Sequence, residues 1–512
     1  MERQSQNATD APLAFPRANP LAAPLETLGR PTKVAWVVHP ALFSSLFVVE
    51  TYCRLKSFSS LPELAAVEAV VIALTLAVQF VLWRLFRNAP LASAFLSACV
   101  LFFFLFGDVK ELFEMWFRPK IMALASATWL LPIWGILFLV VLGLLWRGRR
   151  AAGSLGSYLT VLGAILLTAN AGRALLARTI QLPQPNALAG RPLALPPNPP
   201  DIYFILSDAY TSPESLKRFW DYDDSAFVDF LENRGFQVTP KARSNSTFTP
   251  ACLSTYLNMD FPPGAATNLT MQGQTAYYGR IIEQAEAPSR LKASGYDVTC
   301  LSIFATGGEP RYYCFPKISP PTLATALWNR TVPGFLDAYL TRAGLADVNL
   351  AIFQKLPEIA AQRTSKPKFV YAHLMMPHHP YLFDKDGKRI KRGMGINDDH
   401  PDLYLNQLIY ENGLLTNAIA GILRNSKTPP IIILQGDHGY RSLPGDSRVE
   451  ESTTILQALL LPGLKKPAVA SDHSPVNTFR LVFNRYFGQH YPFLSNAAPT
   501  AVVPFVEAAT EE

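Results

Sequence analysis

Asp437 and His438 stand side by side after Pro430-Ile431-Ile432-Ile433-Leu434-Gln435-Gly436, with Gly439 following. Adjacent carboxylate and imidazole offer one hard oxygen and one nitrogen, donors suited to a divalent metal. The apolar, β-branched run before them, bounded by Pro and Gly, reads as a buried strand. In α/β sheets, residues just past the carboxyl ends of such strands line the crevice where ligands bind. A strand running into an ordinary polar turn has the same sequence appearance. Asp208 ends a second run of this kind, Asp201-Ile202-Tyr203-Phe204-Ile205-Leu206-Ser207. Alone it reads as a cap for a helix starting near Ser212; beside Asp437 and His438 it reads as a further ligand.

Thr249 followed by Pro250 has the pattern of a helix start, Thr at the cap and Pro in the first turn. A hydroxyl there sits among free N–H groups at the positive end of the helix dipole, a setting that favours phosphate or sulfate. A hydroxyl is a poor nucleophile at neutral pH unless a metal or base activates it. A third strand candidate, Lys368–Leu374, leads into Met375-Met376-Pro377-His378-His379-Pro380-Tyr381. His373, His378 and His379 invite either a second metal or proton transfer by an imidazole of ordinary pKa. Arg243 and Arg441 suit bidentate binding of an anionic substrate, and equally suit surface salt bridges.

The elements that must position these groups begin at Asp201, where strand–helix alternation predicts an α/β domain over 201–490 with a central, mostly parallel sheet. Before it, apolar stretches recur at about 36–53, 64–83, 91–106, 122–146 and 154–175. Lengths near 20 residues match the bilayer core, and in lipid each must be helical. The chain is 49% hydrophobic and 17% charged, consistent with a five-helix membrane anchor over 34–180. Arg17, Arg30 and Lys33, Arg84 and Arg87, and Arg147, Arg149 and Arg150 place three segments in the cytoplasm and the carboxyl terminus outside. Arg54, Lys56, Lys110, Arg118 and Lys120 dilute that signal. His39, Glu50, Asp108, Glu111 and Glu114 fall in or near spans, where contact with interfacial water accounts for them. Residues 1–33 read as a polar tail, 181–200 as a stiff Pro-rich linker, and 491–512 as a second tail.

The net charge of +7 follows from basic residues flanking apolar stretches. No zinc-finger spacing or aromatic–basic pattern is present, so no nucleic-acid partner is expected. Cys300 and Cys314 either bridge, in an oxidising compartment, or stay free.

Together Asp208, Thr249, Asp437-His438 and the His-rich segment resemble the alkaline phosphatase/sulfatase superfamily. The resemblance is to its membrane-anchored branch, which includes phosphoethanolamine transferases and lipoteichoic-acid synthases, and spans about 200–490. It implies one divalent metal held by Asp208, Thr249, Asp437 and His438, with Thr249 the nucleophile. Three oxygens and a nitrogen suit zinc or manganese better than calcium or magnesium. Asp208 stands where those transferases commonly have Glu. His378 takes the place of a histidine that meets the substrate phosphate or leaving group, with His379 and His373 as weaker substrate-binding candidates. The Cys-x-Pro-x-Arg motif of formylglycine sulfatases is missing around Thr249 and Cys252. The segment after Asp437-His438, Gly439-Tyr440-Arg441-Ser442-Leu443-Pro444-Gly445, lacks the further ligands of two-metal members. The implied activity is transfer of a phospholipid head group to an envelope glycan, lipid or other alcohol, at the outer face of a bacterial inner membrane. Hydrolysis of phosphate or sulfate esters at the same site is the alternative, and a non-catalytic membrane sensor or scaffold is the rival of another class.

Overall fold

The computed structural model of the chain describes residues 37–117, 127–176, 188–262, 269, 271–313, 320–390, 400–442, 451–465 and 467–495. The tail over 1–33, Arg118, Lys120, Cys314 and the chain from 496 onward lie outside the described residues.

Each of the five apolar stretches folds as a helix: α1 His39–Leu55, α2 Leu61–Phe86, α3 Ala89–Phe104, α5 Ala127–Arg147 and α6 Ala152–Leu176. Among the described residues, three helical segments are long and apolar enough to cross a membrane, Leu61–Phe86, Trp129–Arg147 and Arg149–Leu176. At 17 and 16 residues, α1 and α3 are shorter. An unanticipated amphipathic helix, α4 Phe106–Phe117, follows α3. Phe86 and Trp146 meet edge to face at 5.9 Å, so Arg84, Arg87, Arg147, Arg149 and Arg150 gather at one end of the bundle. The opposite end meets the α/β head.

The head runs β1 Ile202–Ser207, α7 Pro213–Trp220, α8 Ser225–Glu232, β2 Gln237–Val238, α9 Thr249–Asn258, α10 Met271–Glu283, α11 Glu286–Ala293 and β3 Asp297–Leu301. It continues with α12 Leu323–Asn329, α13 Val332–Ala361, β4 Lys368–Leu374, α14 Pro401–Asn425, β5 Ile431–Gly436, β6 Gln457–Leu460 and α15 Thr478–Tyr486. The sheet order is β2-β6-β5-β1-β4-β3. Strands β5, β1, β4 and β3 are parallel, while β6 is antiparallel to β5 and to β2, which makes the sheet mixed. Every residue of β1, β4 and β5 is buried, the reason these strands read as unbroken apolar runs. On one face Phe204, Leu206, Ile433 and Tyr371 pack against α9 and α15; on the other, Ile205, Val370, Ile432 and Leu434 pack against α13 and α14. Burying each such side chain contributes about 1.5–3 kcal/mol. The end of the Pro-rich linker is part of the head: Leu193 is buried and its amide donates to Ser294 Oγ at 2.6 Å.

Head and bundle interlock at the α12–α13 junction. Arg330, only 9% exposed, pairs with Glu50 of α1 and with Asp108 of α4 at 2.6 Å, and donates to Thr51 Oγ1 at 2.9 Å. The Gly107 amide donates to the Arg330 carbonyl at 2.8 Å. Glu63 of α2 accepts the Leu323 amide at 2.9 Å. The expectation that Glu50 and Asp108 merely meet interfacial water is therefore corrected: they hold a buried cation from the head. His39 is likewise buried, with Nδ1 bonded to Ser97 Oγ at 2.6 Å.

Candidate functional site

Ser207 at the end of β1 pairs in register with Leu374 of β4 and Gly436 of β5. The residues immediately beyond, Asp208 and Asp437, therefore emerge next to each other at the carboxyl edge of the sheet. Ser212, whose Oγ accepts the Ser215 amide, caps α7 and leaves Asp208 available. Gly436 and Gly439 are required by crowding. A Cβ on Gly436 would lie 2.5 Å from the Tyr210 carbonyl oxygen, and one on Gly439 2.5 Å from that of Thr454.

Ala209 has a left-handed backbone, φ 64°, and its amide donates to Asp437 Oδ1 at 2.9 Å. His438 Nδ1 donates to the Gly439 carbonyl at 2.7 Å, which leaves Nε2 as a lone pair. That nitrogen lies 3.6 Å from Asp208 Oδ1 and 3.6 Å from Asp437 Oδ2. Among the described residues none of these three buried atoms has a hydrogen-bond partner. Leaving such atoms unmatched is costly, and a divalent cation between them answers all three at once. The donor set thus fits a metal. Asp208 and His438 also group with His378, their ligand atoms within 4.8 Å of one another. Burial and the neighbouring Asp437 push the Asp208 carboxyl above its usual range. Burial pushes Asp437 the same way, but His438, the Thr249 hydroxyl and the Ala209 amide outweigh it and hold Asp437 low.

Thr249 is the first helical residue of α9 rather than its cap; Phe248 occupies the cap position and makes no side-chain cap bond. The Thr249 hydroxyl faces Asp437 and helps hold that carboxyl low. Tyr256, two turns along α9, donates to the Asp437 carbonyl at 3.0 Å and ties the helix to the strand end.

His378 is buried, its Nδ1 donating to the His379 carbonyl and its Nε2 accepting from Arg441 Nη2. Burial, His379, Arg441 and His438 drive its pKa well below the ordinary imidazole value. The resting side chain is neutral, which corrects the expectation of an ordinary-pKa acid. His378, His379 and Arg441 line a cavity of ≈ 20 Å³ with Ala209, His438 and Tyr404. His373 lies beneath it, fully buried, with Nε2 bonded to Asp208 Oδ2 at 3.1 Å; it braces Asp208 and is not among the residues that line the cavity. Arg243 is also outside this cavity, lining a separate one of ≈ 400 Å³ with Arg218, Lys241 and Glu451. Sequence reasoning missed Ala209, Tyr256 and the buried Glu411, which accepts from Ser207 Oγ at 2.8 Å. None belongs to a motif, and only the folded register reveals them.

Residues 225–476 match the sulfatase family model. The periplasmic domain of EptC from Escherichia coli is 13% identical, over 60% of this chain and 86% of that one, with a TM-score of 0.37. The lipooligosaccharide phosphoethanolamine transferase EptA from Neisseria meningitidis is 12% identical, over 88% of this chain and 95% of its own, with a TM-score of 0.37. The lipoteichoic acid synthase LtaP from Listeria monocytogenes is 14% identical, over 58% and 76%, with a TM-score of 0.34. No curated protein matches the chain by sequence. Behind its apolar helices the chain carries, over residues 225–476, a domain similar to the sulfatase family, whose members are enzymes acting on sulfate or phosphate esters.

Proposed function

We propose that the protein is a membrane-anchored, metal-dependent phosphotransferase. It moves a phospholipid head group, of phosphoethanolamine or phosphoglycerol type, to an envelope alcohol through a phospho-threonine at Thr249. The observation that carries this reading is the convergence of Asp208 Oδ1, Asp437 Oδ2 and His438 Nε2, buried and unmatched, beside a threonine hydroxyl resting on Asp437. The oxygen-rich set with one imidazole suits zinc or manganese. When bound, the cation draws charge from the hydroxyl and from the ester oxygens.

Thr249 Oγ1 attacks phosphorus, and Asp437 is the acceptor at hand for its proton. The bond from phosphorus to the diacylglycerol oxygen breaks. The Arg441 guanidinium binds the anionic oxygens, which draws it from His378 Nε2; that nitrogen then relays a proton from solvent water to the departing alcohol. An acceptor hydroxyl next attacks the phospho-threonine, losing its proton to the neutral His378, which returns it to solvent; as the bond from phosphorus to Thr249 Oγ1 breaks, Asp437 gives its proton back to that oxygen and Thr249 is restored. In this reading the anchor has five spans, its arginine-rich end lies in the cytoplasm and the head lies outside a bacterial inner membrane. Confining enzyme and lipid donor to one surface raises their effective concentration.

The sulfatase-family match favours a second reading, in which water is the acceptor. One experiment addresses both. Purified protein is incubated with phosphatidylethanolamine or phosphatidylglycerol and a divalent metal, and the Thr249 peptide and released lipid are weighed by mass spectrometry. A head-group adduct on Thr249 with diacylglycerol release is expected. Free head group released with every alcohol tried favours hydrolysis. Absence of both adduct and diacylglycerol sinks the proposal.

A further inference from the structure

We propose that Phe58, on the loop between the first two apolar helices, is a positioning residue for Thr249. The proposal rests on the reading of Thr249 as nucleophile. The loop is a tight turn: the amides of Phe58 and Ser59 donate to the Leu55 carbonyl at 2.8 and 2.9 Å, and Ser60 caps α2 by accepting the Glu63 amide. Phe58 packs against a cluster of Phe248, Ala251, Tyr277 and Tyr278. Within it the Phe248 and Tyr278 rings meet at 6.1 Å and those of Tyr277 and Tyr278 at 5.2 Å. Phe248 immediately precedes Thr249, and Ala251 lies in the same first turn of α9.

The opposite side of α9 is fixed on the sheet through Cys252, Leu253 and Tyr256 in the core. The amino end of the helix is thus gripped between the sheet of the head and a turn of the anchor. The turn has little freedom to withdraw, because Arg330 holds the end of α1 through Glu50 and Thr51, and Leu323 holds the start of α2 through Glu63. A nucleophile displaced by about an ångström loses up to 10²-fold in rate, so an apolar side chain that sets the height of this turn acts on catalysis without touching substrate. The anchor is then a wall of the active centre as well as a tether.

The test uses the full chain in detergent–lipid micelles with a soluble aryl phosphodiester, so that access of a lipid donor does not enter. Phe58→Ala is expected to lower kcat about tenfold with KM and bound metal unchanged, and Phe58→Leu to recover most of the loss. Hydrogen exchange of the segment 244–252 is expected to quicken in Phe58→Ala and return toward wild type in Phe58→Leu. A kcat within twofold of wild type, a loss that Leu does not repair, a drop in bound metal, or unchanged exchange each overturns the proposal. If wild type turns over no ester while exchange still responds to Phe58, the nucleophile assignment fails and the mechanical link stands.

Discussion

Asp437 faces three groups at once: Oδ1 accepts the Ala209 amide, Oδ2 lies 3.6 Å from His438 Nε2, and the Thr249 hydroxyl helps hold the carboxyl low. In the proposed reading, removing it takes away a metal ligand and the nucleophile's partner together. Asp437→Ala is expected to bind less than about a tenth of the wild-type metal and to lose at least about 10³-fold in turnover. Elemental analysis of the purified variant beside a rate assay checks both. Asp208, Asp437 and His438 were legible because an ionisable residue directly after a buried apolar run has few places to go except the sheet edge. Thr249 was legible through Pro250, although its hydroxyl faces Asp437. The neutral state of His378 was not legible, since it comes from burial and from Arg441, brought near only by folding. Nor was the absence of Arg243 from the smaller cavity, because sequence order says nothing of which way a side chain leaves the loop.

At the level of helices and strands, α8 and α14 meet around a buried trio of Tyr210, Asp224 and Asn412. Asn412 Nδ2 donates to Asp224 Oδ1 at 2.7 Å, and Tyr210 Oη lies 3.1 Å from Asp224 Oδ2. Burial raises the Asp224 carboxyl to about 7 from its usual 3.8. A raised folded-state pKa means the native state binds the extra proton, so this contribution is full below about pH 4 and is lost as pH rises towards 7. Three units correspond to about 4 kcal/mol. Asp224→Asn keeps the bonding capacity without the titration, so the wild type's loss of stability between pH 4 and 7 is expected to exceed the variant's by about that amount. Denaturant melts at the two pH values measure it. Strands β1, β4 and β5 were readable as continuous apolar runs, whereas β2 with two residues and the half-buried start of β3 carry no such signature. The antiparallel β6 follows from pairing, which composition does not encode.

For the molecule as a whole, Arg330 decides how head and anchor are joined. Its side chain is 10% exposed, beside those of Glu50 at 19% and Asp108 at 27%. Arg330→Ala leaves Glu50 and Asp108 to share Arg54, which lies 2.6 and 3.4 Å from them, in a partly dry joint, and is expected to destabilise the full chain by about 2 kcal/mol. Adding Glu50→Gln to that variant is expected to cost less than it does in wild type, and a double-mutant cycle from melting curves reads the coupling. The joint was invisible in the sequence because its partners are 222 and 280 residues apart. Elsewhere, the carboxylate pair takes its spacing from the same backbone bonds that align β1 with β5. Heat cannot pry those two acids apart while the central strands stay zipped, so their spacing outlasts any loosening of α9 and ends only with collapse of the spine.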